Sequence, residues 1–282
     1  MSRLFSLFFG LVLASAAPVF ADAPPAVVTE RTDISYRETA APADATLIER
    51  CKLDLYLPAA PAKDFPILVW FHGGGLSGGD KAAAPEQAAA RRLAARGIAV
   101  ASVNYRLSPK VKFPAYLEDS ASAVRWIADH AASFGADPKK VYVGGYSAGG
   151  YITAMLALDE HFLRDAGAIN IAGFVCMSGQ MTTHFTVRGE AGLPKDNVLV
   201  NDAAPLGHVR ANAPRILLLI GDKDWPARLE ENQFLAAALH RVAKNPPVPL
   251  VVVKDRNHGT ILSRFLEGDD PAGAAVLDFI NR

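Results

Sequence analysis

Short apolar runs recur along the chain, separated by longer stretches in which apolar residues return every three or four positions. Residues 52–57 (KLDLYL) alternate polar and apolar, the period of a half-buried strand. Residues 67–71 (ILVWF) are continuously apolar and short, as in a strand buried on both faces. Further strands are predicted over 98–103, 141–143, 173–177, 215–220 and 248–253. The helical period predicts helices over 87–96, which Gly97 closes, and over 117–134, where Val124, Ile127, Ala128 and Ala131 share a side. Helices are also predicted over 151–158, 228–242, 261–266 and 274–280. Strands alternating with helices imply an α/β fold, a mainly parallel sheet covered on both faces. Residues 22–46, rich in Ala, Pro and Thr, show little period and read as a loose lead-in, leaving 47–282 as one domain.

Half of the 282 residues are hydrophobic, ample for a large core. Acidic and basic residues balance at 29 each, so no charge excess marks the chain for nucleic acid or an anionic membrane. Residues 1–21 join a basic start, an apolar run over 4–13 and a small-residue ending at Val19-Phe20-Ala21. That order predicts a cleaved signal peptide, an exported mature chain (periplasmic or secreted) and no stable membrane insertion after cleavage. Cys51 and Cys176 each lie in an apolar, strand-like run and are expected to be buried and unpaired.

The stretch GGYSAGG, residues 144–150, changes the picture. It follows a predicted strand, precedes a predicted helix and contains G-x-S-x-G, the context of a nucleophile elbow with Ser147 at its tip. A serine needs a base, and the base an orienting acid. In parallel sheets such groups stand beyond the carboxyl ends of strands. The strand over 215–220 runs into Gly221-Asp222-Lys223-Asp224, and the strand over 248–253 runs into Lys254-Asp255-Arg256-Asn257-His258. His258 is therefore the candidate base. Asp224, on the outgoing loop, is preferred as the acid, with Asp222 as the alternative, and Asp255 is read as capping its loop. His130, His161 and His240 fall in or beside helices, while no strand end presents His184 or His208. His72-Gly73-Gly74-Gly75 follows another buried strand, and its N–H groups, with that of Ala148, suit an oxyanion hole.

These motifs occur in register with Asn104-Tyr105-Arg106-Leu107-Ser108-Pro109, Phe113-Pro114 and Glu118-Asp119. Together they resemble α/β-hydrolases of the hormone-sensitive-lipase and bacterial esterase/lipase type, close to the small-capped carboxylesterases and arylformamidases, from about Lys52 to the C-terminus. The resemblance implies an eight-stranded, mainly parallel sheet under a small cap. It also implies Ser147, His258 and Asp224 as catalytic residues and Gly74, Gly75 and Ala148 as oxyanion donors. Two positions depart from the family: Asn104 stands where Asp is usual, and Ser77 and Gly78 where an aromatic is common. Arg106 is expected to anchor a loop, and Trp225 is either a site wall or packing. No His, Cys and carboxylate cluster has metal spacing, so neither metal nor cofactor is expected.

The implied activity is hydrolysis of a small-molecule carboxylic ester. The alternatives are arylformamidase-type amide hydrolysis and a catalytically silent binding protein on the same fold. The segment between the strands over 173–177 and 215–220 lacks a sustained helical period, so short acyl groups are expected.

Overall fold

A computed structural model describes residues 28–37, 44–59, 62–168, 170–242 and 248–282. The predicted signal segment lies outside the described residues. The chain opens with strand β1 (Thr29–Ser35), then helix α1 (Ala45–Arg50), β2 (Lys52–Leu57), β3 (Phe65–Phe71), α2 (Ala84–Ala94) and β4 (Ala99–Val103). Next come α3 (Ala115–His130), β5 (Ala136–Tyr146), α4 (Ala148–Leu158), α5 (His161–Asp165), β6 (Gly173–Met177) and α6 (Phe185–Glu190). The last third holds β7 (Ile216–Lys223), α7 (Arg228–Val242), β8 (Leu250–Asn257), α8 (Thr260–Ser263) and α9 (Pro271–Asn281).

The eight strands form one sheet in the order β1-β2-β4-β3-β5-β6-β7-β8. β1 with β2 and β2 with β4 pair antiparallel, and every later pair is parallel. Along β3 the pleat sends Ile67, Val69 and Phe71 into one core and Leu68 and Trp70 into the other. Val124, Ile127, Ile152, Met155, Leu235 and Leu239 from α3, α4 and α7 fill the first core. Leu93, Ile261, Phe265, Val276 and Phe279, from α2, α8, α9 and their flanks, fill the second.

The lead-in is not loose throughout, because β1 arises within it. Its sequence TERTDIS is exposed along almost its whole length, so no apolar alternation betrays it. Backbone pairing to β2 holds it, with a register break between Arg31 and Ile34 where the Asp33 N–H turns to the Asp54 carboxylate at 2.8 Å. A polar edge strand of this kind discourages pairing with other chains.

β5 begins at Ala136, earlier than its apolar run, because Ala136 pairs with Phe65. β7 and β8 run on past their apolar cores until Lys223 pairs with Asn257. The predicted helix over 117–134 ends as a 3₁₀ turn over Ala131–Phe134. Between β6 and β7 the cap consists of α6, a single 3₁₀ turn at Pro205–His208 and connecting loops. Among the described residues no helix is long and apolar enough to cross a membrane. Cys51 and Cys176 are both free and buried. β4, β3 and β5 separate β2, which Cys51 precedes, from β6, which carries Cys176.

Candidate active site

Parallel strands end together, and this sheet uses that alignment. β3, β5, β6, β7 and β8 finish at Phe71, Tyr146, Met177, Lys223 and Asn257, so the next residues are His72, Ser147, Ser178, Asp224 and His258. Tyr146 pairs with Met177 and Lys223 with Asn257, which sets Ser147 beside Ser178 and Asp224 beside His258.

Ser147 takes φ 56°, a left-handed conformation strained for a residue with a Cβ. The strain turns the chain from β5 straight into α4, with the Ser147 N–H held by the Met177 carbonyl at 2.8 Å. The flanking glycines are there for space. A Cβ on Gly149 would stand 1.9 Å from the Phe71 carbonyl oxygen, and one on Gly145 2.5 Å from Gly149.

Three side chains then form one hydrogen-bonded line. Ser147 Oγ lies 2.9 Å from His258 Nε2, and His258 Nδ1 lies 2.7 Å from Asp224 Oδ1. Ser147 and His258 are both buried, and the Asp224 side chain is fully so. Burial works to raise the Asp224 carboxyl, but hydrogen bonds from His258 and from Ser178 (Oγ to Oδ2, 2.7 Å) outweigh it and hold the group below its ordinary value. The Trp225 N–H donates to Oδ1 at 2.6 Å. Asp224 is thus ionised and can fix the imidazole with Nδ1–H toward itself and Nε2 open to the serine. Asp222 is exposed and, among the described residues, accepts only the Arg256 N–H at 3.3 Å. Asp255 does not cap its loop: it pairs with Lys223 on the surface at 2.6 Å, and Asn257 caps instead, accepting the Thr260 N–H at 2.9 Å.

The glycine loop faces this line. A Cβ on Gly73 would meet the Ser147 Cβ at 3.2 Å, so the two segments are in contact. Gly74 takes φ 115°, which only glycine adopts readily, and its carbonyl accepts from the Ser77 and Gly78 N–H groups at 3.2 and 3.0 Å. The Gly75 carbonyl accepts from Thr186 Oγ1 at 2.5 Å. With the carbonyls turned inward, the N–H groups of Gly74, Gly75 and Ala148 have no protein acceptor among the described residues.

Two family models match the chain: BD-FAE over residues 53–170 and the prolyl oligopeptidase family over residues 114–277, more than half of the sequence. The chain belongs to the prolyl oligopeptidase family. It is therefore an α/β-hydrolase, with the esterase and lipase-like relatives that this implies. It is 40% identical over 113 residues to the carboxylesterase NlhH of Mycobacterium tuberculosis, a match covering 40% of this chain and 34% of that protein. A probable isoprenylcysteine alpha-carbonyl methylesterase of Oryza sativa, ICMEL1, is 30% identical over 218 residues, covering 68% of this chain and 51% of that protein. The chain thus spans between a third and a half of the lengths of these relatives. Among solved structures it superposes on a truncated carbohydrate esterase from gut microbiota with a TM-score of 0.73 at 18% identity, covering 92% and 97% of the two chains. It superposes on Thermogutta terrifontis esterase 2 with propionate bound with a TM-score of 0.64 at 24% identity, covering 93% of each chain.

In this α/β-hydrolase the residues around the line divide by task. His72 is structural: it stacks on Tyr105 at 4.5 Å, and its Nδ1 and Nε2 meet the Gly73 carbonyl at 2.6 Å and Arg50 at 3.2 Å. Burial pushes its ring down to about 4. Asn104 has a reason to be an amide here. Its Oδ1 accepts from the Lys81 N–H and Arg50, while its Nδ2 donates to Asp80 at 2.8 Å, a bond no aspartate could make. Arg106 grips both oxygens of buried Asp119, at 2.8 and 2.9 Å, and so anchors its loop.

The remaining neighbours are ones the sequence leaves open or passes over. Trp225 stacks on the His258 ring at 3.8 Å and stays half exposed, so it is a wall of the site. The Tyr146 hydroxyl donates to the His258 carbonyl at 2.7 Å and steadies the loop that carries the imidazole. Ser178 was missed although its signal was present, since it directly follows a predicted strand, as Ser147 does. His184 is the N-cap of α6 and packs between Tyr151 and Phe185.

Proposed function

We propose that this chain is a serine carboxylesterase acting through an acyl-enzyme. The observation that carries the reading is the unbroken hydrogen-bonded line Ser147–His258–Asp224 facing three unclaimed backbone N–H groups. Ser147 Oγ attacks the ester carbonyl carbon while His258 Nε2 takes its proton, and Asp224 stabilises the imidazolium. The negative charge that develops on the carbonyl oxygen is met by the amides of Gly74, Gly75 and Ala148, donors worth roughly 2.7–4 kcal/mol each in other hydrolases. The imidazolium returns its proton to the departing alkoxide. Water, deprotonated by the same nitrogen, then releases the acid and restores the serine. The esterase names borne by the relatives support ester rather than peptide chemistry.

The cap sets the acyl length. It has one six-residue helix, and α6 closes directly on the glycine loop through Thr186 and through Phe185, whose ring would lie 3.0 Å from a Gly75 Cβ. Such a cap offers little apolar surface for a long chain, whose every buried CH₂ would gain about 0.8 kcal/mol. Rates on p-nitrophenyl esters from C2 to C16 test the reading. We expect kcat/KM to peak between acetyl and butyryl, and a maximum at C10 or beyond contradicts the short-chain preference. Failure to hydrolyse any of the series removes the esterase reading.

A further inference from the structure

The cap and the first turn of α7 enclose a cavity of about 370 Å³ beside the candidate site. Trp225, which stacks on His258, and Phe185, which touches the glycine loop, are two of its walls, so it adjoins the line of reacting groups. Two guanidinium groups also line it, Arg188 and Arg228, and both residues are buried, at 5% and 7% exposure.

The two arginines differ in what they touch. Arg188 is committed to the cap, donating Nη1 to the Thr183 carbonyl at 2.6 Å and Nη2 to the Lys195 carbonyl. The Arg228 guanidinium makes no hydrogen bond or ion pair among the described residues, and it lies over the Trp225 ring, 5.8 Å from Cζ to centroid. The carboxylate best placed to pair with it, Glu231, is occupied elsewhere. One oxygen accepts the Met181 N–H at 2.8 Å and the other the Thr182 hydroxyl at 3.0 Å.

A buried cation without a hydrogen-bonded counter-ion is costly. Arg228 also opens α7, where the positive end of the helix disfavours a cation, and Arg188 repels it. Burial pushes its guanidinium below the usual value, although the nearby Glu231 and Asp224 carboxylates favour its charge. Neither carboxylate hydrogen-bonds it among the described residues, whereas a bound anion could. Arg188, Lys195 and Arg228 face Asp196 and Glu231 around the cavity, and Asp224 also acts on Arg228. Arg228 is nonetheless left with an unused planar guanidinium fork, which fits a carboxylate with two parallel hydrogen bonds.

We propose that Arg228 is a specificity residue that selects esters bearing a second, ionised carboxylate, seated in this cavity while the ester carbonyl lies at Ser147. The proposal rests on the esterase reading and narrows its substrate class. The carboxylate can belong to the acyl group or to the alcohol.

Two matched pairs separate these sources. On the acyl side are the mono-4-nitrophenyl ester of adipic acid and its uncharged 5-carbamoylpentanoate counterpart. On the alcohol side are 4-acetoxybenzoate and 4-acetoxybenzamide. In one pair the anion should be preferred by about tenfold or more in kcat/KM, as expected for a charge-assisted hydrogen bond. Arg228→Gln should bring that ratio close to one and Arg228→Lys should keep part of it. Lys195→Gln, which removes an exposed cation from the rim, should preserve the preference. Equal rates within both pairs for the wild type overturn the proposal, as does a preference that survives Arg228→Gln. Should that variant not fold, the wild type still decides: benzoate must inhibit hydrolysis of p-nitrophenyl acetate more strongly than benzamide, and equal inhibition counts against the carboxylate site. Hydrolysis of uncharged esters with no anion preference sinks this proposal alone, whereas no ester hydrolysis at all sinks the esterase reading.

Discussion

In the proposed mechanism the chemistry rests on a few side chains whose removal has ranked consequences. Ser147→Ala is expected to lower turnover by roughly a million-fold, and His258→Ala nearly as far, because the two act as a unit. Asp224→Asn presents an amide to the imidazole and favours the wrong tautomer, so kcat should fall by roughly ten-thousand-fold. Asp222→Asn removes only an exposed acceptor for the Arg256 N–H and should stay within a few-fold of wild type. The reverse ranking in steady-state kinetics would reassign the acid. Ser178→Ala removes a hydrogen bond that holds the Asp224 carboxyl low, a charge-assisted contact worth about 1.5–3 kcal/mol. A fall of about tenfold in kcat with little change in KM is the expected result, since Ser178 steadies the acid without touching substrate. That Ser147, Asp224 and His258 come together was legible because each follows an apolar run at a strand end. Arg228 was not, because the sequence records its position in a helix but not that the residue is buried with no hydrogen bond to its guanidinium among the described residues.

Between residue and fold, the elements that brace the glycine loop decide how well its amides are aimed. α2 sends the buried Glu86 carboxylate to the Trp70 indole N–H at 2.6 Å and the Gly73 N–H at 3.2 Å. From the other side, α6 gives the Thr186 hydroxyl to the Gly75 carbonyl. Thr186→Val keeps the shape and removes that donor, so kcat should fall several-fold while the thermal midpoint moves little. An unchanged kcat would show that the loop holds its conformation without the cap. At this scale the sequence was legible in its apolar elements and silent elsewhere. β4, β6 and α7 follow their hydrophobic patterns closely, whereas β1 has no apolar face to announce it and exists only because β2 offers an edge. The extensions of β7 and β8 are polar for the same reason, held by backbone pairing rather than burial.

At the scale of the whole molecule, three buried groups govern how stability follows pH. Burial pushes the His72 ring down to about 4, and burial with the nearby Arg228 and Arg188 cations holds His184 well below the ordinary histidine value. Both rings are neutral in the folded chain, so below the ordinary histidine value of ~6.5 the unfolded chain binds more protons. Their contribution is complete above that value and is lost as pH falls toward about 4. Glu86 has the opposite sign. Burial pushes its carboxyl up to about 7, against the hydrogen bonds from Trp70 and Gly73, so its contribution is present below the ordinary value and declines as pH rises. Two histidines outweigh one glutamate, so the unfolding free energy from urea titrations should rise between pH 4 and 6.5, within the ordinary histidine range. Glu86→Gln, which removes the opposing group, should steepen that rise. A flat or falling profile, or an unchanged slope in the variant, contradicts this assignment.

The position of β8 at the outer edge of the sheet has a further consequence. Among the described residues only β7 holds it by a ladder, half of its residues are exposed, and the residue after it is His258. Edge elements with few buried contacts open at lower free energy than the centre of a domain. Lifting this one strand would separate the imidazole from Ser147 while β3, β5 and β6 remained intact. Ester hydrolysis should then vanish at urea concentrations where the circular dichroism is still native, and on refolding it should return last.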